Sequence, residues 1–184
     1  MAPSCASGYA GRMSASGETI PLSICVLTVS DSRTPDNDTS GDWLADALQA
    51  GGHRLADRGL LPDNRYLLRA RVSQWIADDD IDGIIVTGGT GFTGRDSTPE
   101  ALRPLLDKEM TGFGELFRAL SFEEIGTSAL QSRAFAGLAN STFLFCLPGS
   151  TSAVRTGWEK IIRSQLDATT RPCNLATLRP RLKE

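Results

Sequence analysis

The stretch "DGIIVTGGTGFTGRDSTPE", residues 82–100, decides how this chain folds. Ile84, Ile85 and Val86 form a short apolar, β-branched run of the kind found in a strand buried on both faces. The strand, read over residues 82–89, ends on a glycine loop. Thr98 then reads as a helix cap, with Pro99 at the first helical position and Glu100 in the first turn. Strand, loop and helix make one βα unit, and such units build parallel sheets.

Working outward, the same pattern recurs. "ICVLTVS" (24–30) predicts a first buried strand, followed by a turn-rich loop over 31–41. A helix is expected over 42–52, with Trp43, Leu44, Ala47 and Leu48 on one face and Gly51-Gly52 as its stop. Residues 53–61 predict a second strand, Pro62-Asp63-Asn64 a turn, and "NRYLLRARVSQWIADD" a helix with Leu68, Val72, Trp75 and Ile76 inward. After the glycine loop, residues 111–126 predict a helix beyond Gly114, with Leu116, Phe117 and Leu120 inward. Residues 133–149 read as two strands around an Ala139-Asn140-Ser141 turn. Residues 151–166 predict a last helix facing the core with Val154, Trp158, Ile161 and Ile162.

Three βα units, a hairpin and a helix give an α/β fold, a three-layer α-β-α sandwich with a mainly parallel sheet. The expected organisation is a flexible tail over 1–20, one domain over 21–170 and an irregular C-terminal tail over 171–184. The chain of 184 residues is long enough for one full core. A net charge of −3 with both signs scattered argues against a nucleic-acid or membrane surface. No apolar run reaches the length of a membrane span, and the first residues lack a signal peptide's apolar centre. Cys25 and Cys146 sit in apolar runs, Cys5 and Cys173 stand apart, and His53 is the sole histidine. This pattern disfavours zinc and suits a reducing cytoplasm. His53 reads as a surface residue, and the three tryptophans as core.

Sheets of this class bind ligands beyond the carboxyl ends of their strands. The loops 30–41, 87–98 and 148–152 meet that condition and are rich in Gly, Ser, Thr and Asp. Gly89 to Gly94 spell a literal G-x-G-x-x-G, but after the third strand rather than the first, and no acidic strand end follows about 20 residues on. The P-loop spacing is present too, but Arg95 and Asp96 replace its Lys and Ser/Thr. What survives is a strand-to-turn with open backbone amides, suited to an anion. Asp31, Asp63 and Asp96 each have a plain alternative, as a turn former, a helix cap and a helix-dipole acid. With Thr98 as cap, Asp96 is left to face a ligand.

In order along the chain, "TVSDSR", "DTSG", "LLPDN", "TGGTGFTGRDSTPEAL", "GFGELFR", "QSRAFAG" and "FLFCLPGS" resemble the MoaB/Mog proteins of molybdenum cofactor biosynthesis, over about residues 22–173. The run through "GFGELFRALSFEEIGTSALQSRA" and "TRPCN" resembles the MoaB branch. The resemblance implies a molybdopterin-binding fold, a homotrimer or homohexamer, and, for Mog-type members, adenylylation of the terminal phosphate of molybdopterin with Mg-ATP. It carries the two key aspartates onto Asp63 and Asp96, with Asp96 toward magnesium. It places Gly88, Gly89, Thr90, Gly91 and Arg95 at the phosphate, Ser30, Asp31 and Ser32 in the first loop, and Pro148, Gly149 and Ser150 in the last. The adenylyltransferase motif LPG-x-P is broken here by Thr151 in the proline position. The alternative it allows is a non-catalytic pterin- or nucleotide-binding or scaffolding member of the same pathway.

Overall fold

A computed structural model describes residues 19–182. Six strands form one sheet in the order β2-β1-β3-β6-β5-β4. They are β1 (Ser23–Val29), β2 (Arg54–Leu61), β3 (Gly83–Thr87), β4 (Lys108–Glu109), β5 (Phe135–Ala139) and β6 (Thr142–Leu147). β2, β1, β3 and β6 run parallel, while β5 pairs antiparallel with both β6 and β4. The β5–β6 turn is the expected hairpin, with Asn140 and Ser141 at φ 45° and 69°. Positive φ at both central residues gives a turn whose twist matches the strands.

Alternation along β1 explains the two cores. Ile24 and Val26 face α1 (Thr39–Ala50), α4 (Thr111–Ile125) and α5 (Thr151–Gly157) through Leu44, Leu48, Phe113, Phe117 and Val154. Cys25, Leu27 and Val29 face α2 (Arg65–Ile76) and α3 (Thr98–Leu102) through Leu68, Val72, Trp75, Ala101 and Leu102. Both faces are therefore covered, which is why the strands read as unbroken apolar runs. Burial pushes the Cys25 thiol up to about 12, with the Asp57 charge adding to it, and raises Cys146 as well. These are inert core thiols. Cys5 and residues 1–18, most of the expected tail over 1–20, lie outside the described residues.

The chain leaves β1 across one face to reach β2, then crosses the opposite face to reach β3 on the other side of β1. The direction of winding reverses between β1 and β3, and that reversal opens a crevice at their carboxyl ends.

Several local expectations need correction. α1 begins at Thr39, three residues before the expected start at 42, because Asp38 accepts from Gly41 N–H and caps it. α4 begins at Thr111, which brings Phe113 and Phe117 inward and leaves Leu116 47% exposed. Thr98 is not a cap: its hydroxyl donates to Gly88 O at 2.8 Å, and Ser97 takes the cap position. β4 had no sequence signal at two residues. The last helix widens into a π-helical turn at Trp158–Ile162 before α6 (Arg163–Leu166). The C-terminal stretch holds a 3-10 segment, Ala176–Arg181, with Ala176 buried and Arg179 paired with Asp82.

His53, expected at the surface, is 6% exposed. Its Nδ1 accepts Leu22 N–H at 3.3 Å, and its ring meets Trp158 edge-on at 6.3 Å. Burial pushes its pKa below the ordinary 6.5, and Asp167 opposes this only in part. A depressed folded value means the contribution is whole above the unfolded pKa and is lost as pH falls through the folded one. Because His53 is the sole histidine, the melting temperature is expected to decline below about pH 6.5, with a flatter decline in His53→Asn. Thermal unfolding from neutral to mildly acidic pH checks this; parallel slopes would overturn it.

Candidate functional site at the strand switch point

Three segments meet at the carboxyl ends of β1, β3 and β6: residues 30–38, 88–97 and 148–150. The bonds between them are specific. Gly88 N–H donates to Leu147 O at 2.9 Å, and Thr87 Oγ1 donates to Pro148 O at 2.9 Å. Gly149 O accepts from Arg33 and from Ser40 Oγ, each at 2.9 Å. Ser150 caps α5 by accepting Ala153 N–H. Thr151, in the position that carries proline in the adenylyltransferase motif, reaches Ser40 Oγ at 3.2 Å through its hydroxyl.

The first segment is pinned from below by Asp38, which is 1% exposed. It accepts from Thr28 Oγ1 at 2.7 Å, pairs with Arg58 at 2.9 Å and pairs with Arg33 at 3.2 Å. Burial alone would raise its pKa, but the bonds from Thr28, Arg58 and Gly41 N–H outweigh that and hold it below 3.8. A buried carboxylate so satisfied fixes the backbone around it. Above it, Ser30 Oγ accepts the amides of Ser32 and Arg33, closing a tight turn that exposes Asp31 and Ser32.

The glycine turn is flanked by the two predicted aspartates. A β-carbon built on Gly89 would lie 2.4 Å from Asp63 Oδ2, and one on Gly91 would lie 2.9 Å from Asp96 Oδ2. Gly89 also has φ +65°, so both space and backbone require glycine there. Asp63 does not cap its own helix, since Asn64 accepts Tyr66 and Leu67 N–H instead. Its two oxygens accept from Ser97 N–H, and Oδ1 also takes Ser97 Oγ at 2.5 Å. Asp63 thus supplies from 34 residues away the acceptor that the α3 N-terminus lacks.

Asp96 Oδ2 accepts from Thr93 N–H at 2.7 Å and Thr93 Oγ1 at 2.6 Å; its Oδ1 receives no bond from the described residues. Arg95, 74% exposed on its side chain, pairs with Asp31 at 2.7 Å, and Asp31 accepts Asp63 N–H on its other oxygen. Gly88 spends its amide on the scaffold. Among the described residues the amides of Gly89, Thr90 and Gly91 meet no acceptor. Three amides beside two carboxylates hold an anion well only when a cation accompanies it. Among the described residues no cluster of three or more His, Cys, Asp or Glu could hold a metal by itself. A magnesium ion held by one carboxylate and by substrate phosphates fits that donor set.

Sequence reasoning gave no role to Arg33, Asp38 or Arg133. Arg33 and Arg133 lie inside the quoted motifs "TVSDSR" and "QSRAFAG", but only their contacts, with partners far along the chain, assign them.

Fold and site together define a class: a mainly parallel α/β protein with its polar loops gathered at one strand switch point. Residues 25–168 match the family described as "Probable molybdopterin binding domain". The chain is 57% identical over 169 residues to molybdenum cofactor biosynthesis protein B of Escherichia coli strain K12, covering 92% of this chain and 98% of the relative. It is 47% identical over 145 residues to the protein of that name from Staphylococcus aureus strain COL, covering 77% and 86%. A crystal structure of molybdenum cofactor biosynthesis protein B superposes with a TM-score of 0.81 at 35% identity, over 90% of this chain and 98% of that one. The tungsten cofactor synthesizing protein MoaB from Pyrococcus furiosus superposes at 0.69 and 36% identity, over 77% and 90%. This chain belongs to the MoaB/Mog family of molybdenum cofactor biosynthesis proteins.

Proposed function

We propose that the protein binds molybdopterin and adenylylates its terminal phosphate with Mg-ATP. One observation carries this reading: two carboxylates, Asp63 and Asp96, flank a glycine turn at the sheet's switch point in which the amides of Gly89, Thr90 and Gly91 meet no acceptor among the described residues. In the reaction a phosphate oxygen attacks the α-phosphorus of ATP. A new P–O bond forms, the bond to the β-phosphate oxygen breaks, and pyrophosphate leaves. The nucleophile is already anionic, so no histidine base is needed, and the buried His53 takes no part. The protein's work is to align two anions and offset their repulsion.

The amides of Gly89, Thr90 and Gly91 would hold a phosphate, and Arg95 would add positive charge once released from Asp31. Asp96 would hold magnesium through its open oxygen. The ion supplies charge neutralisation between the phosphates. Asp63 keeps Ser97, and with it the end of the loop, in place. The last loop, Pro148 to Ser150, and the first, Ser30 to Ser32, form the flanks of the site. A homotrimer or homohexamer is part of this proposal, supported by exposed Leu116, Phe122, Ile125 and Leu130 on and just after α4. So is a cytoplasmic setting, supported by buried free cysteines and by the lack of any helix, among the described residues, long and apolar enough to cross a membrane.

Thr151 favours a second reading, a binding or scaffolding protein, because a hydroxyl bridge to Ser40 replaces the ring that would lock the loop. Incubating the purified protein with molybdopterin and Mg-ATP separates the two. Adenylylated pterin and pyrophosphate are expected; pterin binding without product would overturn the enzyme reading in favour of the second.

A further inference from the structure

The geometry points to Arg133 as the residue that positions Asp96 for this reaction, an inference that rests on the reading just given. Arg133 Nε donates to Gly91 O at 2.8 Å, and one terminal nitrogen donates to Asp96 O at 2.9 Å. Its own backbone N–H donates to Thr90 O at 3.1 Å. One side chain thus grips both ends of the loop 91–96 that carries Asp96, from 42 and 37 residues away. The remaining terminal nitrogen pairs with Glu100 on α3. Phe92, in the same loop, lies against the guanidinium at 5.4 Å.

This arrangement is a clamp rather than an anion site. The guanidinium's charge is met by Glu100, while Nε and the other terminal nitrogen each give a bond to a backbone carbonyl. It acts on the Asp96 carboxylate only through the backbone. With the loop ends fixed, Thr93 N–H and Oγ1 are placed to orient Asp96 Oδ2, which leaves Oδ1 directed by the same geometry. A planar fork can span two carbonyls at once, whereas a lysine reaches them as a single point charge. Behind the clamp opens a cleft of about 550 Å³ lined in part by Phe92, Glu100 and Leu130. A smaller side chain at 133 would enlarge that space without entering the sheet's two cores.

The test uses the full chain with Arg133→Ala and Arg133→Lys. Three quantities are read: melting temperature, amide hydrogen exchange, and adenylylation kinetics as a function of Mg2+. Arg133→Ala is expected to lower kcat by about 10–100-fold, the range seen when outer-shell partners of a metal site are lost. Half-maximal activity should require more Mg2+. Exchange across 89–97 should quicken on the order of tenfold, while peptides covering β3 and β6 keep their protection. Arg133→Lys should recover loop protection and activity only in part. The clamp is overturned if loop exchange and Mg2+ requirement stay at wild-type levels, or if lysine restores both completely. A wild-type protein that makes no product overturns the reaction instead, and the exchange measurement then decides the clamp by itself.

Discussion

Asp96→Asn is expected to slow adenylylation by on the order of 10²–10³-fold, comparable to removing one well-placed electrostatic group from an active site, with no change in melting temperature. The asparagine carbonyl can still accept from Thr93 N–H and Oγ1, so the loop keeps its shape. What disappears is the negative charge on the oxygen that meets no donor among the described residues. The loss should fall on kcat and on the Mg2+ dependence, with pterin binding little altered, because the glycine turn's amides remain. Turnover within a few-fold of wild type at saturating Mg2+ would remove Asp96 from the reaction.

Gly88→Ala is the substitution expected to cost the fold most within this site. Gly88 has φ +108°, and an added β-carbon would stand 2.1 Å from Val29 O. That carbonyl ends β1, whose Val29 side chain is in the core, so it cannot step aside. Gly88 is also held on both sides, donating to Leu147 O and accepting from Thr98 Oγ1. Backbone strain of about 1–3 kcal/mol and overpacking of similar size add to about 2–6 kcal/mol. This is a large share of a domain's typical total of about 5–15 kcal/mol. Denaturant titration measures it. Gly94→Ala is the matched control: nothing lies within 4 Å of its added β-carbon, so a change within about 0.5 kcal/mol is expected. In a dinucleotide fingerprint the last glycine is the one pressed between helix and strand. Here it stands in the open, which is the structural reason the literal G-x-G-x-x-G misleads.

The sheet was legible because both its faces are covered. β1, β3 and β6 are unbroken apolar runs, and a run bounded by turn residues has few other readings. The positions of the three converging loops followed from topology alone. The contacts that give the site its shape did not, because they join residues distant in sequence. Asp63 sits in a turn signal just before a helix, and nothing local says that its partner is Ser97 rather than Tyr66. Thr98 has the residue type and the following proline of a cap, yet its hydroxyl is drawn to Gly88 O across the turn. His53 precedes an edge strand, and the groups that meet it in the interior, Leu22 N–H and the Trp158 ring, are not its neighbours in sequence. Arg133 opens the segment before a strand, where an arginine is usually a solvated flank.

The borders of the sheet carry one more consequence. β2 lies at one margin and offers Arg54, Asp57 and Arg58 along its length, with a slip in register against β1 between Ile24 and Cys25. β4 closes the other margin with only Lys108 and Glu109. A foreign strand approaching either side would have to desolvate charge, and on the β2 side it would also meet an irregular template. Growth by lateral strand addition, the usual route from a parallel sheet to a fibril, is therefore discouraged at both ends. Concentrated solutions of this protein should lose material through unfolding at the core long before they lose it by templating at the rim.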